Sequence, residues 1–573
     1  MKINPYLGGR ALTVIRAHPK THKLFRQILK LQRKRSRIMD ESANSSPSPQ
    51  ERKELKKRRL SDGPDFKRRK TGASPLPKTW TSSISPPPLR RDRKVEAQIP
   101  KYVKSPFQLT WIQDLPGSSN VDAVSLRDIL GDPMIAECWE FNYLHDLDYL
   151  MEAFDRDVKD LVKVNVVHGF WKQEDPSRLR LKMQAEKYPN ITLHTAYMPE
   201  MFGTHHTKML ILLRHDDTAQ IIIHTANMIA FDWTNMAQAI WKSPLLPKLP
   251  FDGENPASPP MGSGAKFKLD FLNYLRAYDG KRTICKPLIE KLYQYDFSEI
   301  RAALVGSVPG KQGIETDSKT RWGWAGLKEA LKSVPVQNNE PEIVAQISSI
   351  ATLGANDTWL HKTLFKALAT SKDAASSKPS FKIMFPTADE IRRSLNGYSS
   401  GSAIHTKIQS AAQQKQLQYL KPIFCHWAGD GGSNPPPTHD AGRKRAAPHI
   451  KTYIRFADSS RTAIDWMLVT SANLSKQAWG EATNSAGDVR ICSYELGVLV
   501  WPALFGEKAT MVPTFKTDIP RANSEKPDAE LVVGARMPYD FPLVPYAKDD
   551  EPWCATASYT EPDWKGETWK VDE

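Results

Sequence analysis

Two histidines head matching words in this chain. His206-Thr207-Lys208 opens the apolar run HTKMLILL, and His449-Ile450-Lys451 opens HIKTYIRF. An imidazole can serve as nucleophile, acid or base near neutral pH, and an ammonium beside it can neutralise an anion. In an extended strand, residues i and i+2 share a face about 6.6 Å apart, so each pair can converge on one small anion. Each run is followed by a second strand-like run that ends in a hydroxyl residue and Ala-Asn. IIIHTAN places Asn227 nineteen residues beyond Lys208, and WMLVTSAN places Asn473 twenty-two beyond Lys451. Two imidazoles, two ammonium groups and two carboxamides around one point suit phosphoryl transfer. The cations take up charge on the equatorial oxygens, the amides donate hydrogen bonds, and one imidazole stands on either side of phosphorus for in-line attack and departure. This chemistry needs no cofactor and no metal, and no carboxylate cluster of the kind magnesium requires adjoins the motifs.

His-x-Lys by itself is weak evidence, for it also occurs at His18 and His405. His18 lies in an N-terminal stretch without acidic residues, and His405 precedes KIQSAAQQKQLQYL, which reads as an amphipathic helix. Only His206 and His449 begin strand-like runs with the Ala-Asn sequel. Strand alternation turns His205 to the opposite face from its neighbour. Asn227 and Asn473 have a plainer reading as helix caps, and Phe202 as a core side chain.

The elements that must carry these residues read as alternating strands and helices. HDLDYLMEAFDRDVKDLV (145–162) spaces Leu147, Leu150, Met151, Phe154, Val158 and Leu161 as the stripe of one amphipathic helix. KVNVVHGF, NITLHTAYM, KMLILL and QIIIHTA follow as strands. After a polar, Pro-containing break near 333–341 a second series begins with FKIMF, the helix-like TADEIRRSL, HIKTYIRF, AIDWMLVTSA and GVLVWP. The expectation is an α/β protein: a first domain over 101–336 holding His206, Lys208 and Asn227, and a second over 337–573 holding His449, Lys451 and Asn473. Residues 250–264 and 428–447 read as loops, the latter ending just before His449.

Charge is distributed unevenly. Residues 1–100 hold 26 Lys and Arg against 8 Asp and Glu, whereas 101–573 carry 54 basic against 56 acidic groups, so the net +16 belongs to the N-terminal segment. That segment is rich in Ser and Pro and reads as a disordered tail. Lys56-Lys57-Arg58-Arg59 and Lys67-Arg68-Arg69-Lys70 form a bipartite nuclear import pattern, with a mitochondrial transit peptide as the second reading of the acid-free residues 1–39. The five cysteines are scattered without a C-x-x-C pair, which speaks against a disulfide framework and a thiolate zinc site. No apolar stretch approaches the roughly 18 residues needed to cross a bilayer.

Paired His-x-Lys with a downstream Asn resembles the phospholipase D superfamily. That superfamily's usual Asp five residues after the Lys is replaced here by Leu213 and Phe456. The words GTHHTKM, IHTAN, PHIKTY, TSANLSKQAWG and SYELGVL resemble instead the tyrosyl-DNA phosphodiesterase family, over most of 101–550. The resemblance implies two similar α-β-α sandwich domains related by a pseudo-twofold axis. It also implies a monomeric, metal-independent DNA-repair hydrolase that releases a topoisomerase I-derived tyrosyl peptide from a DNA 3′ end. His206 would be the nucleophile and His449 the general acid and base, with Lys208, Lys451, Asn227 and Asn473 holding the phosphate. Gln238 and Glu495 match the residues that orient the two histidines. A carboxylate beside His449 would favour its protonated form and an amide beside His206 its neutral form, so Glu495 is expected with His449 and Gln238 with His206. Phe202 matches a base-stacking residue, and Ser475 and Ser402 match DNA phosphate contacts. The C-terminal EPWCATASYTEPDWK departs from the family pattern. Other readings are a lipid- or RNA-directed phosphodiesterase of the same superfamily and a non-catalytic chromatin-binding scaffold.

Overall fold

A computed structural model describes residues 101–571 apart from 251–257, 315–317, 338, 374–377, 432–435 and 522–529. The basic segment 1–100, with its import and transit readings, and parts of both expected loops lie outside the described residues.

Two sheets organise the protein. The first, of eight strands, has at its centre the antiparallel pair Met209–Arg214 and Thr218–His224, flanked by Ile135–Phe141 on one side and Ala239–Lys242 on the other. The second, of ten strands, is built around Thr452–Phe456 and Ile464–Thr470, flanked by Glu342–Gln346 and by Glu495–Val500. Period-two alternation explains why the central strands are apolar throughout. Met209, Ile211 and Leu213 enter the inner core shared by the two sheets, while Leu210 and Leu212 meet the outer helices of the first. In the second sheet Ile464, Met467 and Val469 face the same inner core, and Trp466 and Leu468 face outward. The helices Gly264–Arg276 and Lys286–Leu292 send Phe267, Phe271, Leu275 and Leu288 into the inner core, so each sheet lies between helical layers.

Two departures from the sequence expectation have local causes. The helix expected over 145–162 covers only Leu147–Ala153. Asp155 turns its carboxylate onto the backbone NH of Asp157 (3.0 Å), a local bond that competes with helical pairing, and Leu161 ends up 80% exposed. Second, Ala303–Ser307 pairs with Glu495–Val500, and Lys101–Val103 with Leu531–Arg536, so both contribute to the second sheet although they lie within 101–336. All described residues belong to one compact unit.

Candidate active site

The two motif words enter the same backbone frame. His206–Lys208 and His449–Lys451 sit in the stretches leading into their strands, one step before regular pairing begins. The Lys208 carbonyl accepts from the His224 NH (3.1 Å), and the Lys451 carbonyl from the Thr470 NH (3.2 Å). Asn227 and Asn473 each lie three residues beyond that bond, so they arrive at equivalent points. The different sequence separations arise in the turns, Arg214 to Thr218 in one half and Phe456 to Ile464 in the other. Leu213 and Phe456 point into the inner core, which is why no carboxylate stands at those positions.

The halves then exchange partners. The His206 NH donates to the Tyr494 carbonyl (3.0 Å), and the NH groups of His449 and Ile450 donate to the Ala237 carbonyl (3.2 and 2.8 Å). Ala447 and Pro448 pair with Met236 and Ala237, and His205 bridges to Tyr494. The residues that follow Tyr494 and Ala237 are Glu495 and Gln238, and each is thereby delivered to the histidine of the other half. Glu495 Oε2 lies 2.8 Å from His206 Nδ1, and Gln238 Nε2 lies 2.9 Å from His449 Nδ1. The expected assignment is therefore reversed. The carboxylate that does reach His449 is Asp232, with Oδ2 at 3.2 Å from Nδ1, a residue that the sequence reading did not single out. Ser471 donates to Glu495, and Thr225 donates to Gln238 Oε1 (2.7 Å), so both orienting side chains are themselves fixed.

Burial sets the charge states. It pushes His206 down to about 4, with Lys208 and Lys451 acting the same way and Glu495 opposing. Burial also works to raise the Glu495 carboxyl, but His206, Lys208 and Ser471 outweigh it and leave the group below its ordinary value. Neutral His206 consequently donates Nδ1–H to an ionised Glu495 and keeps a lone pair on Nε2. Burial brings Lys208 down to about 8 against the pull of Glu495 and Asp232. Lys451 is likewise depressed, by burial and by Lys208 across the site, and His449 falls well below its usual value by burial and by both lysines. Burial raises Asp232, against the NH of Asn227 and the two ammonium groups. A pocket that depresses four basic groups together will gain from an anion, whose charge reverses each of those shifts. Each ammonium donates to the carbonyl of its own histidine, Lys208 to His206 (3.1 Å) and Lys451 to His449.

Neither asparagine caps a helix: Ile229 and Ser475 occupy those positions. Asn473 Oδ1 accepts from the NH groups of Ser348 (3.0 Å) and Ser349 (2.9 Å), which leaves Nδ2 as its donating end. Asn227 spends one Nδ2 hydrogen on Asp232 (3.0 Å). Phe202 is 72% exposed on the loop before His206 and so is no core residue. Gly203 behind it lies against the Cys492 carbonyl, where a Cβ would come within 1.9 Å. Ser475 Oγ accepts from the Gln477 NH and retains its own proton for donation. Ser402, in contrast, donates its hydroxyl to the Ser399 carbonyl (2.8 Å).

His205 is buried, bound to the Asn142 carbonyl (2.8 Å) and Tyr278 (3.0 Å), away from its neighbour as alternation requires. Two further residues border the site. Tyr143 sets its ring edge-on to His206, with centroids 5.7 Å apart. His405 lies on an exposed stretch six residues before the helix that begins at Ala411, and its backbone bridges to Ser349. The divergent C-terminal segment braces this region through Trp553, whose Nε1 donates to the carbonyls of Gly401 (3.0 Å) and Ile404 (3.1 Å).

The sequence profile described as Tyrosyl-DNA phosphodiesterase matches residues 106–547. The chain belongs to the tyrosyl-DNA phosphodiesterase family. It is 34% identical over 548 residues to a probable tyrosyl-DNA phosphodiesterase of Schizosaccharomyces pombe, covering 83% of this chain and 98% of that protein. It is 29% identical over 500 residues to Tyrosyl-DNA phosphodiesterase 1 of Arabidopsis thaliana, covering 81% of this chain and 76% of the relative. The crystal structure of the yeast tyrosyl-DNA phosphodiesterase shares the fold, with a TM-score of 0.57 at 21% identity over 79% of this chain and 99% of that one. The protein is accordingly a phosphodiesterase, and the family's two-sheet architecture is present in it.

Proposed function

We propose that this protein is a DNA-repair enzyme that hydrolyses the 3′-phosphotyrosyl bond between DNA and a topoisomerase I-derived peptide through a phosphohistidine intermediate, without a metal. In the first step His206 Nε2 attacks phosphorus, the P–O bond to tyrosine breaks, and His449, protonated as the bound phosphate anion offsets the burial that depresses it, gives its Nε2 proton to the departing phenolate and is left as neutral imidazole. In the second, His449 removes a proton from water, the water oxygen bonds to phosphorus, and the P–N bond breaks to return His206 and a 3′-phosphate. Lys208, Lys451 and the Nδ2 groups of Asn227 and Asn473 hold the equatorial oxygens. The observation that carries this reading is the pair of histidines fixed through Nδ1 by buried partners, His206 by Glu495 and His449 by Gln238 and Asp232. Such fixation serves groups that work through Nε2. Phe202 would stack on a base and Ser475 donate to a DNA phosphate, whereas the internal bond of Ser402 weighs against a direct phosphate contact. Incubation with a 3′-phosphotyrosyl oligonucleotide in EDTA should release tyrosine and a 3′-phosphate. Absence of turnover there, or preferential turnover of phosphatidylcholine, would refute the proposal.

A further inference from the structure

One buried acid–base pair in the first half takes no direct part in the proposed chemistry. Glu140, on the strand Ile135–Phe141, stands opposite Leu210 and shares with Cys138 the outer face of the first sheet, an apolar setting in which its side chain is fully buried. The His145 side chain, also buried, sets Nδ1 2.8 Å from Glu140 Oε2 and Nε2 3.0 Å from the Asn142 carbonyl oxygen. Two acceptors on one ring are both satisfied by an imidazolium that faces an ionised Glu140, so an ion pair is held inside an apolar layer. Such a pair adds little stability over apolar residues of equal volume. Its place in the fold gives it another use.

His145 closes a turn, 142–146, that joins the first motif to the segment carrying Asn227. On the motif side the Asn142 carbonyl that faces His145 also accepts from His205 Nδ1 (2.8 Å), and Tyr143 sets its ring edge against His206. On the other side the turn grips both neighbours of Asn227. Asn142 Nδ2 donates to the Ala226 carbonyl (3.3 Å), the Met228 NH to the Leu144 carbonyl (3.0 Å), and the Asp146 NH to the Met228 carbonyl (2.7 Å). Asn227 needs this grip, because its own Oδ1 is buried without a hydrogen-bond partner among the described residues. The second half is built otherwise. There Ala345, opposite Tyr453, occupies the position of Glu140, and Asn473 Oδ1 is held directly by the NH groups of Ser348 and Ser349. Lys208, two residues before Leu210, lies on the Glu140 face, and after Glu495 and Asp232 the Glu140 carboxylate adds to the pull that opposes the burial of that ammonium.

We propose that Glu140 and His145 are positioning residues of the first half, an ion-paired clamp that fixes the turn 142–146 and through it the reach of Asn227 toward the phosphate. The inference rests on the proposed reaction and adds to it two residues that touch neither substrate nor the reacting atoms. A clamp of this kind acts on kcat, since it governs how the transition state is met rather than how the substrate is held.

The test uses the full-length protein and its E140Q/H145F variant, which removes both partners so that no charge is left buried alone. On a single-stranded 3′-phosphotyrosyl oligonucleotide the variant should lose about tenfold in kcat, with KM within about twofold. Two double-mutant cycles separate a clamp from a defect of the fold. In an N227A background the same change should cost less than about twofold, because the group it positions is gone, whereas in an N473A background it should again cost about tenfold. Equal costs in the two backgrounds, an unchanged kcat, or a loss confined to KM would overturn the clamp. Should the double variant fold poorly, H145Q, whose amide can donate to one of the two acceptors, is read through the same cycles and should show the same pattern with a smaller loss. If wild type cleaves no 3′-phosphotyrosyl oligonucleotide, the substrate reading fails by itself, and the cycles are read in orthovanadate affinity by calorimetry. Weakening of about tenfold in wild type and N473A but not in N227A upholds the clamp, and equal weakening in all three, or none, overturns it.

Discussion

The two halves of the site share a backbone frame and differ in what is hung on it. In both, the motif lysine's carbonyl accepts from the partner strand, the asparagine follows three residues on, and the ammonium donates to its own histidine's carbonyl. On the His206 side the Nδ1 partner is a single ionised carboxylate. On the His449 side it is a neutral amide backed by Asp232, whose ionisation burial resists. A repeated frame fixes where the groups stand, and the unlike partners are the difference on which the proposed division between an attacking and a proton-trading imidazole rests.

Removing the reacting groups should break this comparison most severely. H206A should lose at least about 10⁴-fold in kcat/KM and form no covalent adduct, while H449A should trap a DNA–protein adduct visible on denaturing gels, as expected for unequal roles in covalent and acid–base catalysis. Equal adduct yields from the two would mean the halves do not differ in role. The orienting residues come next. E495Q should cost about 10²-fold in kcat/KM, near the lower range for positioned acid–base groups. Because Glu495 supports the charge of Lys208, its loss should also move the alkaline fall in kcat/KM to lower pH, and Q238E, which adds a carboxylate near Lys451, should move it upward. Identical pH profiles for both variants would show that the asymmetry has no catalytic meaning.

F202A should weaken DNA binding by about 1–3 kcal/mol if one base stacks there, read as KM with kcat preserved. In the wild type, kcat/KM should fall as pH rises past about 8, where Lys208 loses its proton, and fall again toward about 4 as His206 gains one. K208R, which cannot titrate in that range, should retain the acid limb and lose the contribution of position 208 to the alkaline one. The smallest effect is expected at S402A, less than about twofold in KM, since the hydroxyl loses one internal bond worth about 1 kcal/mol of stability.

Much of this site could be read from the chain because it is written in short-range terms. His206, Lys208 and Asn227 lie within one strand hairpin, as do His449, Lys451 and Asn473, so spacing and strand periodicity locate both sets. The exchange of Gln238 and Glu495 could not be read that way. It depends on Ala447–Pro448 meeting Met236–Ala237 and on His205 meeting Tyr494, pairings between segments more than 200 residues apart. Asp232 stands five residues beyond Asn227 in an apolar turn, and an acidic residue between Phe231 and Trp233 was the available signal. The helix that follows His405 was legible in the same short-range terms, and Ser410 caps it at Ala411 rather than directly after Lys407.

The crossed delivery of Glu495 and Gln238 constrains how such a site can be assembled. Two identical subunits swapping one residue across a symmetry axis would have to present the same side chain to both imidazoles, leaving the two rings of the shared centre equivalent. Joining both copies in one polypeptide lifts that requirement, so an attacker and a proton donor can be tuned separately while each copy still lacks a working centre without the other.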